Sequence, residues 1–185
     1  MENKNRVLYN NIIHTFTAGF IAILVNTLML KLAPLLKVRA ESGGVLKLFL
    51  INLPVKYSSI EFLHGTTFWV IFHFLIGYSM VFMYLFTFVP MKSLGWMQKG
   101  ILFSFIPWLI NSIVILPLLN HGIMGIKTLE FCGILYFFIS NLIFALILAY
   151  LLRKVWFYKT LRENLIRHLG LIAISYLLII ISSFQ

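Results

Sequence analysis

Residues 131–152 read FCGILYFFISNLIFALILAYLL, a run of 22 residues without a charged side chain. In an α-helix that rises 1.5 Å per residue, about 20 apolar residues cross the hydrocarbon core of a bilayer. Further apolar runs occupy residues 11–36, 66–90, 100–123 and, over a shorter length, 168–184. The sequence therefore predicts an all-α, polytopic transmembrane helix bundle of about five helices that forms a single membrane domain over residues 1–185.

The composition of the whole chain supports a membrane location. Hydrophobic residues make up 61% and charged residues only 11%, whereas a soluble domain carries roughly 25% charged residues. The net charge is +10, but the basic residues lie in short segments between the apolar runs. This placement indicates topology signals and contacts with the anionic headgroups of the lipid bilayer, and it argues against nucleic-acid binding. A single cysteine, Cys132, excludes an intramolecular disulfide.

The Lys and Arg residues also predict an orientation. Nine of them flank the predicted spans on the side of the N-terminus and five flank them on the other side, with Lys31 inside the first run left out. Because Lys and Arg are enriched in cytoplasmic loops, we expect the N-terminus in the cytoplasm. The long loop 37–65 then lies outside, and its apolar stretch 45–53 is interpreted either as a segment on the outer membrane surface or as an irregular loop packed on the top of the bundle.

Similar patterns in the two halves suggest an internal repeat. Leu32-Ala-Pro-Leu-Leu36 closes the first span, and Leu116-Pro-Leu-Leu119 lies near the end of the third. His73 precedes Gly77 by four residues in the second span, as Asn141 precedes Ala145 in the fourth. We therefore expect two tandem helical hairpins, spans one and two against spans three and four, followed by a C-terminal helix.

The acidic residues argue against the commoner membrane enzymes. The chain has five Glu and no Asp, and every Glu falls in a tail, a loop or a helix end. Proton-coupled transporters and aspartyl proteases need carboxylates within the membrane. The serine-hydrolase motif GxSxG and the zinc motif HExxH are also absent from the sequence. These features favour a protein that is not an enzyme.

Three asparagines, Asn26, Asn111 and Asn141, are predicted near the middle of three different spans. One interpretation is that each forms an interhelical hydrogen bond worth about 0.6 kcal/mol. The other is that they line a path for a small solute or ion, together with Ser140 and with the neighbouring Thr27 and Ser112. Carrier sites tend to lie at this depth.

A metal or haem site is a third hypothesis. His73 lies within the second span, and His64, His121 and Cys132 are predicted at the outer ends of spans, with Glu130 close by. These nitrogen and sulfur donors suit Cu, Zn or haem iron. Against this, His64 and His73 are nine residues apart, which places them on opposite faces of a continuous helix. The alternative is a neutral His73 that is hydrogen-bonded to a neighbouring helix.

Several short motifs resemble the YagU-type family of uncharacterised bacterial inner-membrane proteins. They are His73-Phe-x-x-Gly-Tyr78, Lys99-Gly100, Trp108-Leu109, Leu116-Pro-Leu118 and Gly122-Ile-Met-Gly125, within residues 15–152. The resemblance implies about four helices, a histidine on the second helix and a location in the bacterial inner membrane; it implies no activity. A second histidine expected on the fourth helix is Asn141 in this chain.

Three functions follow from these patterns. Because little of the chain lies outside the predicted spans, the favoured function is an accessory, assembly or scaffold subunit of a larger membrane complex, with other membrane subunits as partners. The second is a small-solute or ion carrier lined by the asparagines. The third is a haem- or metal-binding protein that uses the outer histidines.

Overall fold

The computed structural model describes residues 2–40, 43–54 and 60–154, with side chains described from residue 10 onward. The described helices are α1 (Glu2–Leu32), α2 (Gly44–Ile51), α3 (Glu61–His64), α4 (Thr66–Thr87), α5 (Trp96–Leu109), a π-helix (Ile110–Ile115), α6 (Leu116–Leu118) and α7 (Phe131–Leu151). Short 3₁₀ helices cover Ala33–Leu36, Ile123–Gly125 and Leu152–Lys154. This part of the chain contains no strand, so the all-α prediction is confirmed.

Four helical stretches are long and apolar enough to cross a membrane, as the sequence predicts for the first four spans. They are Asn10–Leu36, Thr66–Thr87, Trp96–Leu118 and Phe131–Lys154. Their outward faces carry large apolar side chains, with exposed fractions of 53% at Leu28 and 64% at Leu75. Such surfaces are unfavourable in water and favourable in lipid, so the chain is a multi-pass membrane protein. The predicted fifth span, 168–184, lies outside the described residues.

The helix boundaries differ from the prediction where local chemistry sets them. Helix α4 ends at Thr87 rather than near residue 90, because Pro90 disfavours helical backbone at the residue before it. Helix α5 begins at Trp96 rather than at residue 100. Its start is capped by the backbone N–H of Gly95, which donates to Gln98 Oε1 at 2.9 Å. The third span ends at Leu118, because the chain turns at Asn120, whose φ of 60° is left-handed.

The four long helices pack around one apolar core. Helix α7 packs along both α5 and α1, and α1 also contacts α4. Spans one and two are therefore neighbours, and so are spans three and four, as two hairpins require, while the internal repeat itself stays a prediction. Helices α4 and α5 meet through aromatic rings near one end, where Tyr84 and Phe88 pack edge-on against Phe103 at centroid distances of 5.2 and 5.5 Å. We call this the basic end, because Lys99, Arg153 and Lys154 also lie there.

At the opposite end, helix α2 occupies the space between α4 and the π-helix. It contacts both elements, and Phe49 of α2 packs against Phe68 and Phe72 of α4. Gly44 and Leu46 are buried, whereas Ile51 is 70% exposed. The apolar stretch 45–53 thus packs on the bundle, as the second interpretation predicts, but most of it is helical rather than an irregular loop. We call this end the loop end.

Candidate functional site

A central cavity of about 90 Å³ lies between α1, α4, the π-helix and α7, with α2 at the loop end. Each of these elements contributes side chains or backbone to the lining of the cavity. The residues that line the cavity include Asn26 from α1, Trp69 and His73 from α4, Asn111 from the π-helix and Asn141 from α7. A cavity needs at least about 15 Å³ in this measure to hold one water molecule, so this one has room for more than one. This volume suits a small solute.

The three asparagines line the cavity from three different elements. Asn26 Nδ2 donates to the backbone oxygen of Ser140 at 3.0 Å and so joins α1 to α7. Asn111 Nδ2 donates to the Pro107 oxygen at 3.0 Å, and Asn141 Nδ2 donates to the Phe137 oxygen at 2.8 Å. Because a carbonyl oxygen only accepts hydrogen bonds, the amide nitrogen of each asparagine must face the carbonyl, and its amide oxygen points away from it. The carboxamide oxygens are the acceptors that these residues can offer to a solute.

Two prolines explain why Asn111 has this position. Pro107 has no backbone N–H, and Pro117 removes a second donor ten residues later. Between them the third span widens into the π-helix Ile110–Ile115, in which the backbone N–H of Leu116 donates to the Asn111 oxygen five residues earlier. Single-turn π-helices are frequent at functional sites, because they rotate a side chain out of the regular helical register. The third span therefore contains a π-helix that carries a cavity residue.

Helix α4 supplies the aromatic wall of the cavity. The His73 ring stacks on the Trp69 ring with centroids 5.1 Å apart and planes at 9°. The Lys31 ammonium lies 4.5 Å from the centroid of the same indole, a cation–π contact. Trp69 was not among the residues predicted from the sequence. Its position four residues before His73 is the signal that could have found it, because this spacing puts both rings on one helix face.

The other predicted polar residues lie behind the cavity wall. Ser140, Thr27 and Ser112 are buried and do not line the cavity. The Ser140 hydroxyl donates to the Phe137 oxygen at 2.9 Å, and the Thr27 hydroxyl donates to the Ile23 oxygen at 2.8 Å. Both hydroxyls thus bond within their own helix. Of the six residues predicted as a polar lining, the structure brings together Asn26, Asn111 and Asn141, and it places the backbone of Ser140 next to Asn26.

The predicted metal ligands are not brought together. Among the described residues no three His, Cys, Asp or Glu side chains form a group that could hold a metal ion. His64 ends the short helix α3, and the extended backbone of Gly65 separates it from α4. Cys132 is exposed at the start of α7, and His121 lies in the turn after the third span. Of the four predicted ligands, only His73 lines the central cavity.

Comparison with protein-family models, with curated proteins and with solved structures finds no match to this chain. The YagU-type resemblance therefore stays a prediction.

None of the described residues that line the cavity is Asp, Glu, Lys or Arg. A cation in the cavity would therefore lack a fixed counter-charge and would bear the desolvation cost of several kcal/mol that a buried charge carries. The carboxamides and the imidazole instead offer hydrogen bonds to a neutral molecule, while Ile23, Phe137 and Phe144 supply apolar wall. The arrangement suits a small, uncharged solute that both donates and accepts hydrogen bonds.

Proposed function

We propose that this multi-pass membrane protein binds and carries a small uncharged polar solute at the central cavity. The observation that carries the proposal is the convergence of Asn26, Asn111, Asn141 and His73 on one cavity with no charged lining among the described residues. Interhelical adhesion alone does not require this convergence. Only Asn26 bonds to another helix, whereas Asn111 and Asn141 bond to carbonyls of their own span.

A carrier needs a barrier on each side of its binding site, and we assign the two barriers to elements that lie on either side of the cavity. Toward the basic end, Tyr84 and Phe88 close against Phe103. Toward the loop end, the start of α2 covers the cavity, with Gly43 and Gly44 in the lining. A solute enters when α2 moves away from α4 and the π-helix, and it leaves when the aromatic contact opens. The π-helix gives the third span a place to bend between these two states.

A transport assay tests the proposal. Purified protein in liposomes is mixed with urea or glycerol, and solute uptake is followed by stopped-flow light scattering. We expect protein-dependent uptake of at least one of these uncharged solutes without a potassium current. Asn111→Leu and His73→Leu should each lower the rate at least about fivefold, the factor that corresponds to a hydrogen bond of about 1 kcal/mol.

Asn52→Leu is the matched control. Asn52 Nδ2 also donates to a carbonyl four residues earlier, that of Leu48 at 2.8 Å, but the residue is exposed and lies outside the cavity. Its replacement should leave uptake unchanged. Uptake of both solutes equal to that of protein-free liposomes, or an equal loss in the Asn52 variant, would contradict the proposal.

We further infer a bacterial inner-membrane location with a cytoplasmic N-terminus. The distribution of Lys and Arg between the two sides of the predicted spans supports this orientation, and the YagU-type resemblance supports the location. The accessory or scaffold role in a larger complex stays a prediction. The cavity favours the carrier over it, because a scaffold has no need of several uncharged polar groups that converge on one cavity.

A further inference from the structure

A second cavity, of about 300 Å³, lies at the basic end of the bundle. The turn after α4, the start of α5 and the 3₁₀ helix after α7 form its walls. It shares no lining residue with the central cavity, so it is a separate site. We call it the basic cavity.

The basic cavity concentrates positive charge. Lys99, Arg153 and Lys154 line it, and none of its described lining residues is acidic. Lys99 Nζ donates to the Val89 oxygen at 3.3 Å, and Arg153 Nη1 donates to the Tyr150 oxygen at 3.1 Å. Both partners are neutral carbonyls, so these bonds orient the cations without neutralising them. Three positive charges around one space attract an anion.

Aromatic rings fix the position of the arginine. The guanidinium carbon of Arg153 lies 3.7 Å from the centroid of the Tyr150 ring. Trp96, which lines the cavity, packs edge-on against the same ring at a centroid distance of 5.3 Å. A guanidinium held in one plane presents paired N–H donors, the geometry that matches two phosphate oxygens.

The depth of the basic cavity indicates which phosphate compounds reach it. It lies where the apolar spans Thr66–Thr87 and Phe131–Lys154 end, and both Trp96 and Tyr150 are partly exposed there. Tryptophan and tyrosine concentrate at the level of the lipid headgroups. We propose that the basic cavity binds the phosphate of an anionic phospholipid headgroup, with Arg153 and Lys154 as its principal ligands.

Lipid titration tests this site in the full-length protein. The protein in neutral detergent is titrated with phosphatidylglycerol, and bound lipid is counted by native mass spectrometry. We expect one saturable site that prefers phosphatidylglycerol to phosphatidylcholine. Because a basic residue near an anionic surface contributes about 1 kcal/mol, Arg153→Gln and Lys154→Gln should each weaken binding about fivefold, and Arg153→Lys should retain more binding than Arg153→Gln.

Lys127→Gln is the matched control, because it removes the same charge from the loop between the third and fourth spans, at the other end of the bundle. It should leave the affinity unchanged.

Competition with glycerol phosphate and inorganic phosphate identifies the source of the ligand. If both soluble phosphates bind in an Arg153-dependent manner and the lipid displaces neither of them, the basic cavity binds a soluble phosphate instead, and the lipid proposal is overturned. Equal weakening by Lys127→Gln, or unchanged binding in the Arg153 and Lys154 double variant, would overturn the proposal. Monodisperse elution of every variant establishes that it is folded.

Discussion

Gly133 shows how closely one residue can hold two parts of this chain together. It lies in the first turn of α7 and is buried against the Arg39 carbonyl of the segment that precedes α2. A Cβ at this position would meet the carbonyl oxygen well inside van der Waals contact. The backbone at Arg39 can approach α7 only because residue 133 has no side chain.

We expect Gly133→Ala to lower the free energy of unfolding by about 1–3 kcal/mol, the usual cost of overpacking. The methyl group would push the Arg39 segment away from α7, and backbone cannot yield as a flexible side chain does. Unfolding in a titration with sodium dodecyl sulfate measures the change. The control is Gly95→Ala, where a Cβ would meet only Gln98 Oε1 at 3.7 Å. Equal stability of the two variants would show that the Arg39 segment does not pack on α7.

At the scale of elements, α1 and α4 approach through another glycine. A Cβ on Gly77 of α4 would lie 2.6 Å from Cγ1 and 2.7 Å from Cδ1 of Ile23 on α1. Ile23 is only 1% exposed, so its side chain has little space into which to move. Small residues that let helices approach are a common basis of packing in membranes, where no hydrophobic effect drives helices together.

A double-mutant cycle measures this contact between elements. Gly77→Ala should destabilise the protein by about 1–3 kcal/mol, and Ile23→Ala by about 2–5 kcal/mol through the space that it leaves. The double variant should lose less free energy of unfolding than the sum of the two single losses, because the new methyl group fills part of that space. Gly100→Ala is the control partner: Gly100 packs on α7 near Ala145 and Ala149, so its effect should add to that of Ile23→Ala. If the losses of free energy of unfolding were strictly additive in both cycles, the contact between Gly77 and Ile23 would be contradicted.

For the molecule as a whole, the sole cysteine reports the orientation in the membrane. Cys132 is exposed at the start of α7, on the side of the membrane opposite to Lys92 in the turn between α4 and α5. With a cytoplasmic N-terminus, we expect Cys132 to react with a membrane-impermeant maleimide in intact spheroplasts. The reactivity is measured by the mass shift of the labelled protein.

The reciprocal variant carries Cys132→Ser and Lys92→Cys. It should react only after the membrane is permeabilised, since residue 92 would then face the cytoplasm. Labelling of the Lys92→Cys variant alone in intact spheroplasts would establish the reverse orientation. The central cavity would be unaffected by that outcome, but α2 would then cover it on the cytoplasmic side.

Much of the architecture could be predicted from the sequence, because the length of an apolar run fixes whether a helix can cross the bilayer. The spans beginning at Thr66 and Phe131 start where they were predicted. The prediction for α5 missed one turn, because Gln98 caps the helix through its side chain, a contact that hydrophobicity does not reveal. The mid-span asparagines could likewise be found, because polar groups in lipid must have a partner.

The amino-acid sequence by itself determined that this chain lies in a membrane as apolar α-helices, because the transfer of long uncharged segments into lipid depends on composition and length alone. Only the tertiary structure decided that Asn26, Asn111, Asn141 and His73 face one cavity while His64 and Cys132 do not join them. Side chains on different helices share a site only when helix rotation and packing bring them there. In this protein a π-helix between two prolines, a glycine at position 77 and the docking of α2 set that rotation and packing.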